Sequence, residues 1–288
     1  MIVPFEIQEA VNKGAVLAVS ISGGKDSQAL LKVVFDWHKS EGLTNKIFAI
    51  HADLGRAEWK ETPAFVGKIC HDLGIGLVVV RRHRNGKDID LLDRWIERKE
   101  QLEGTGKPFW SSATSRYCTS GLKTDPINKY LRQFDNVISI EGIRWQESKA
   151  RSEKPRFKIR TEIATKGRKA LTWNAIIDYT IDDIWETYGQ SQESYNQAKK
   201  EYRLTEIVPT WWNFHPAYAM GNERLSCAIC ILGSINDKLN GIKHNPVLAN
   251  EIERLEIETG FGFWGEGNGI TKAKKRLHAS ENVLSISF

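Results

Sequence analysis

The sequence predicts an α/β protein: a doubly wound, mostly parallel sheet followed by a C-terminal, mainly helical extension that carries cysteines. Three observations predict it. Short apolar runs rich in β-branched residues alternate with amphipathic ones through the first half of the chain. The Gly-, Asp- and Arg-bearing segments follow strands, on the edge where right-handed crossovers gather the strands' carboxyl ends. The length of 288 residues, 41% hydrophobic and 27% charged, suffices for a large core and a smaller appendage.

The elements follow in order. AVLAVSIS (15–22) is a short apolar run, as a strand covered on both faces requires. It meets SGGKDS (22–27). SQALLKVVFDWHKSEG then places Leu30, Leu31, Val34 and Trp37 on one helical face, and Gly42 ends that helix. KIFAIHADLG (46–55) is a second strand running into a loop. EWKETPAFVGKICHDLGI (58–75) is a second helix with Pro63 near its start. GLVVVRR (76–82) is a third strand, PINKYLRQF (126–134) a helix, and NVISIEGIR (136–144) a fourth strand. At about residue 150 the character changes, which divides the chain into a core (1–150) and a C-terminal region (151–288) packed on it. LTWNAIIDYTIDDIWETYG reads as a turn and a helix, VPTWWNFHPAY precedes SCAIC, and GFGFWGEGNG breaks a charged helical tail.

The net charge of +5 gathers in RRHR (81–84), in 151–169 and in TKAKKR (271–276). Such clusters suit a phosphate-rich partner and equally a solvated basic face. No apolar stretch is long enough to span a bilayer, and the start lacks the pattern of a signal peptide. The expected location is the cytoplasm, with no membrane partner. There the four cysteines, Cys70, Cys118, Cys227 and Cys230, point to metal or redox chemistry more than to stapling.

SGGKDS between a strand and a helix aims backbone N–H groups at one point. Gly23 and Gly24 remove the Cβ atoms that would hold an anion off, and the helix N-terminus adds its positive end. Lys25 supplies a full charge, and Ser22 and Ser27 supply hydroxyls. Asp26 fits beside a phosphate as a helix cap or a magnesium ligand. The spacing is not that of the loop that cradles a transferred γ-phosphate, which needs four residues between its first glycine and its Gly-Lys pair.

SGGKDS after a first strand resembles the pyrophosphate (PP) loop of the N-type ATP pyrophosphatases. With HADLG (51–55), YCTSGLKTDP (117–126), EGIRWQESKAR (141–151) and WNAIIDYTIDDIW (173–185), the chain is similar to the phosphoadenosine phosphosulfate (PAPS) reductase-like branch over roughly residues 14–235. The resemblance implies an adenine nucleotide α-hydrolase-like fold and cleavage of ATP between its α and β phosphates. It implies that Ser22, Gly23, Gly24, Lys25, Asp26 and Ser27 hold pyrophosphate or nucleotide phosphates. Asp53 would lie near nucleotide or Mg2+; as a plain reading of the residue, it caps the next helix. Gly142 permits close approach of backbone to ligand, and Arg144 and Arg151 offer planar forks to phosphate oxygens. Glu147 orients one of those arginines. Lys25, Asp26, Asp53 and Arg144 are the expected catalytic set.

Cys227 and Cys230 form one Cys-x-x-Cys, which alone reads as half a zinc site, a redox pair or two buried thiols. The resemblance adds Cys118, and the three thiolates would suit a 4Fe-4S cluster, with zinc as the alternative. Cys70 reads as core. Two departures from the reductases stand out: no cysteine follows Cys230, and Tyr117 precedes a lone Cys118. The expected activity is therefore ATP-dependent sulfur transfer, similar to DNA phosphorothioation and tRNA-thiolating enzymes, in which an adenylated oxygen is displaced by sulfur. The alternatives are a reductase giving sulfite and a non-catalytic nucleotide-binding module. The expected partners are ATP, DNA or tRNA, and a cysteine desulfurase or other sulfur donor, with a homo-oligomer left open. Trp110, Trp145, Trp211 and Trp212 are candidates for base stacking, set against core packing.

Overall fold

The computed structural model describes residues 1–285, with side chains as far as Leu277. Six strands form one sheet: β1 (Val16–Ser20), β2 (Ile47–Ala52), β3 (Leu77–Val80), β6 (Asn136–Ile140), β7 (Phe157–Ile159) and β8 (Lys169–Trp173), in the order β3-β2-β1-β6-β8-β7. All neighbours pair in parallel except β7, which runs antiparallel to β8 at the edge. Val19 at the centre of the sheet stands opposite Ala49 on one side and Ile140 on the other. The mostly parallel doubly wound sheet is the expected fold. The sheet also continues past residue 150, because β7 and β8 complete it.

The alternation of a strand's side chains puts successive residues of β1 in different layers. Leu17 and Val19 pack in one core with residues of α1 (Phe5–Asn12), α2 (Lys25–Ser40) and α3 (Thr62–Leu73). Ala18 packs in the other with Phe48, Ile50 and Leu131, under the helix Asp125–Leu131. Two further cores lie off the sheet. One joins Trp59, Trp95 of α4 (Leu91–Gln101), Trp110 and Phe263 to the C-terminal helices. The other is an aromatic cluster of Trp185, Tyr195, Trp212, Phe214 and Tyr218.

Those cores correct part of the stacking expectation. Trp110 and Trp212 are only 6% and 7% exposed, and their indole N–H groups donate to the carbonyls of Phe261 and His215. A buried indole needs such a partner, and both have one. Trp145 and Trp211 are each 38% exposed. Cys70 is buried in the core as expected, and burial pushes its thiol up to about 11. The basic RRHR stretch forms a hairpin of β4 (Arg82–Arg84) and β5 (Lys87–Ile89), turned by Asn85 and Gly86 at φ of +51° and +76°. Among the described residues no helix is long and apolar enough to cross a membrane.

Candidate functional site

The site is assembled at the carboxyl edge of the sheet from the loops after β1, β2 and β6. The chain leaves β1 through Ser22, Gly23 and Gly24, and Lys25 opens α2. Gly23 has φ of +78°, a conformation costly for any residue with a Cβ. Ser27 braces the loop: its Oγ accepts from the Ser22 backbone N–H at 3.1 Å and donates to the Gly24 carbonyl at 2.8 Å.

Lys25 is 7% exposed. Its Nζ donates to the Glu223 carbonyl at 3.3 Å and lies 5.2 Å from the centre of the Tyr218 ring. Burial holds its ammonium below the ordinary lysine pKa, and Arg144 and Arg224 push the same way against Asp26. Among the described residues its one carboxylate contact is with Asp26, 3.7 Å from Nζ, and that carboxylate is shared with Arg144.

Arg144, 4% exposed, donates from Nε to the Asp26 carboxylate at 2.5 Å. Gln146 and Glu147 hold it further: Nη1 donates to Gln146 Oε1 at 2.9 Å, and its backbone N–H to Glu147 Oε2 at 2.8 Å. Glu147 also pairs with Arg151 and stands 3.7 Å from Arg224. Gly142 lets the β6 loop approach the start of α2: a Cβ there would lie 3.1 Å from the Asp26 carbonyl oxygen.

These residues enclose two adjoining cavities. The first, about 120 Å3, is lined by the phosphate-loop residues with Arg151, Tyr218 and Arg224. Lys25, Arg151, Arg224 and two serine hydroxyls thus share one small space with the carboxylates of Asp26 and Glu147, which are paired with Arg144 and Arg151; the balance of charge favours an oxyanion. The second, about 170 Å3, shares Ser22, Ser27 and Gly142 with the first and continues past His51, Glu58 and Lys123. A polyphosphate with a group attached would span both.

His51 is 3% exposed and has an acceptor at each ring nitrogen: the Ile21 carbonyl at 3.0 Å from Nδ1 and Glu58 Oε2 at 3.2 Å from Nε2. Burial alone would lower its pKa, but the hydrogen bond and charge of Glu58 outweigh burial and hold it above the ordinary value. An imidazolium satisfies both acceptors at once.

The expected residues converge unequally. Ser22, Gly24, Lys25, Asp26, Ser27, Gly142 and Arg151 line the first cavity, and Arg144 is joined to it through Asp26. Asp53 lines neither cavity. Its carboxylate accepts from the Gly55 N–H at 2.6 Å and from Arg81 Nε at 2.8 Å, so it stabilises the turn after β2. With Asp26 held by Arg144 and Asp53 by Arg81, neither carboxylate is arranged as a magnesium ligand. Lining residues outside the expected set include His51, Glu58, Lys123, Tyr218 and Arg224. His51, Glu58 and Lys123 sit in stretches whose motif pattern drew notice, whereas Tyr218 and Arg224 carry no local signal at all.

The cysteine loop lies against this edge. The Ala228 N–H donates to the Ala57 carbonyl at 2.8 Å, and Leu225 Cδ2 would touch a Cβ at Gly23 at 3.4 Å. Burial pushes the Cys227 thiol up to about 12; Lys123 opposes this, while Cys230, Cys118 and Glu58 add to it. Cys118 and Cys227 pack against the off-sheet core of Trp59 and Phe263, and the Cys230 carbonyl accepts from Trp264 Nε1 of the same core. As they stand the three cysteines fit neither a cluster nor zinc: among the described residues no three or more Cys, His, Asp or Glu form a group that could hold a metal ion.

Fold and site together define an α/β protein with a small cavity at its sheet edge, lined by Lys25, Arg151 and Arg224. The chain belongs to the phosphoadenosine phosphosulfate reductase domain family, which matches residues 16–203. The family is one of nucleotide-using sulfur enzymes. An uncharacterised protein of Methanocaldococcus jannaschii is 27% identical over 269 residues, covering 88% of this chain and 53% of that protein. An uncharacterised 37.8 kDa protein of Escherichia phage 186 is 26% identical over 251 residues, covering 74% and 66%. The chain thus spans about half the length of the archaeal relative. Among solved structures, PAPS reductase from Candida auris, in a phosphate complex, aligns at 13% identity and TM-score 0.44, covering 77% of this chain and 85% of that one. The U34-tRNA thiolase NcsA from Methanococcus maripaludis, with its [4Fe-4S] cluster, aligns at 13% identity and TM-score 0.40, covering 88% and 73%.

Proposed function

We propose that the chain is an ATP pyrophosphatase that adenylates an oxygen of a nucleic-acid substrate so that sulfur can replace it. The observation that carries this reading is the first cavity, where Lys25, Arg151 and Arg224 meet the Ser22 and Ser27 hydroxyls at the start of α2. In the proposed reaction the acceptor oxygen attacks the α-phosphorus of ATP. The bond from that phosphorus to the bridging oxygen breaks, and pyrophosphate leaves into the cradle. Cations placed where the leaving charge develops favour this step over ground-state binding. Magnesium enters with ATP as its complex. In the second step sulfur bonds to the activated carbon or phosphorus and AMP departs.

Support for the sulfur half comes from the Cys-x-x-Cys loop, which is tied to the β2 loop by the Ala228 N–H donating to the Ala57 carbonyl at 2.8 Å. The acceptor is DNA or tRNA, approached by the basic segments and by the partly exposed rings of Trp145 and Trp211. A cysteine desulfurase or a similar donor supplies the sulfur. No step runs through a cluster or zinc, and iron, zinc and labile-sulfide analysis of anaerobically purified protein settles what Cys118, Cys227 and Cys230 hold. The test of the function is pyrophosphate release from ATP with DNA, with tRNA and with neither. Release that requires one nucleic acid supports the reading, and sulfite formed from PAPS with a thiol donor overturns it.

A further inference from the structure

We propose that Tyr218, from the segment leading into the Cys-x-x-Cys loop, is a direct ligand of the anion in the phosphate cradle, donating its hydroxyl to a phosphate oxygen. The proposal rests on the reading of the first cavity as an oxyanion site. Tyr218 lies outside the stretches that resemble the family's motifs, and it is brought to the cradle only by folding.

Its surroundings leave the hydroxyl one use. The phenol is 1% exposed, packed in the aromatic cluster against Trp185 and Tyr195. Tyr218 lines the first cavity, and its Oη would stand 3.7 Å from a Cβ at Gly24. That oxygen accepts the Lys25 backbone N–H at 3.0 Å, and the Leu225 backbone N–H also faces it, so its lone pairs are spent on the first turn of α2 and on the segment before Cys227. The hydroxyl hydrogen has no acceptor among the described residues, although a buried O–H donor normally finds one. Burial raises the phenol well above its ordinary pKa, so the proton stays on at neutral pH. A buried O–H with no acceptor, on the wall of a cavity where Lys25, Arg151 and Arg224 outnumber Asp26 and Glu147, is completed by an anion.

The arrangement has a consequence for the sulfur half. Tyr218, the Glu223 carbonyl that holds Lys25, Arg224 and Leu225 all precede Cys227 within one short segment. An anion held by Tyr218 and Lys25 together fastens that segment to the phosphate loop.

The test is calorimetric titration of the wild type and Tyr218→Phe with inorganic pyrophosphate and with ATP. Phenylalanine keeps the ring packing and removes only the hydroxyl. The expected result is pyrophosphate binding weakened about tenfold, as for loss of a hydrogen bond to a charged group. Equal affinity in the two proteins overturns the proposal. A second measurement needs no variant: adding pyrophosphate to the wild type should shift tyrosine absorption to longer wavelength as a phenol begins to donate. An unchanged spectrum at saturating pyrophosphate contradicts the proposal. A wild type that binds neither pyrophosphate nor ATP overturns the cradle reading and this proposal with it. Binding that depends on Tyr218 without pyrophosphate release from ATP leaves Tyr218 in place and overturns only the proposed reaction.

Discussion

Asp26 and Arg144, one on the first turn of α2 and the other after β6, form a buried ion pair at 2.5 Å between their side chains. The arginine side chain is 5% exposed and the aspartate 18%. The pair ties the loop after β1 to the loop after β6, and it neutralises a carboxylate on the wall of the first cavity.

Removing one partner leaves the other buried and uncompensated. Asp26→Asn should destabilise the protein by about 2–3 kcal/mol, somewhat below the usual cost for a fully buried pair because Asp26 retains some exposure. Urea unfolding measures it, and a double-mutant cycle with Arg144→Gln isolates the pair. A change below about 0.5 kcal/mol would mean the pair is not holding the site.

Gly142 is the point of closest approach between the β6 loop and α2. A methyl group there would meet the Asp26 carbonyl at 3.1 Å and Ser27 Cα at 3.3 Å, both backbone atoms of the phosphate loop. Gly142→Ala should cost about 1–2 kcal/mol of stability, as overpacking does, and should weaken ATP binding more than tenfold by shifting the loop. Unaltered ATP affinity by calorimetry would show that the loop tolerates the displacement.

His51 makes stability depend on pH in a direction that can be worked out. Burial lowers its pKa, Glu58 more than restores it, and the folded value lies above the ordinary 6.5. A group whose folded pKa is raised binds protons more tightly in the folded state, so its contribution is complete below about pH 6.5. It fades as the pH climbs through the raised value. The wild type should therefore lose more Tm between pH 6 and pH 9 than Glu58→Gln does. Parallel Tm profiles for the two proteins would contradict this account of the pair.

Much of the sheet is legible in the sequence, for identifiable reasons. Strands β1, β2, β3 and β6 are short apolar runs because parallel strands are covered on both faces. The edge that gathers Ser22–Ser27, His51–Gly55 and Gly142–Arg151 follows from the handedness of the crossovers. Strands β7 and β8 escape notice because Phe157–Ile159 and Lys169–Trp173 lie in a basic stretch, where charge obscures the alternation. The β4–β5 hairpin was readable in principle, since Asn85-Gly86 is the sequence signal for its turn. Tyr218 was not readable. Its contact with Lys25 spans 193 positions, and only the packing of the aromatic cluster brings the two together.

Asp53 shows the opposite limit. Its place at the end of β2 suggests a ligand contact, yet Arg81, the residue after Val80, which pairs with Ala52, claims the carboxylate first. The partner of an ionised side chain is set by neighbouring strands, which local sequence does not specify.

The central claim is that the loop Ser22–Ser27 receives pyrophosphate released from ATP. The direct measurement incubates the protein with ATP, a sulfur donor and nucleic acid, and separates the phosphate products for the wild type and Lys25→Ala. The account predicts pyrophosphate and AMP in equal amounts from the wild type, and neither above background from the variant. Formation of ADP and orthophosphate, or undiminished pyrophosphate release by Lys25→Ala, would contradict it.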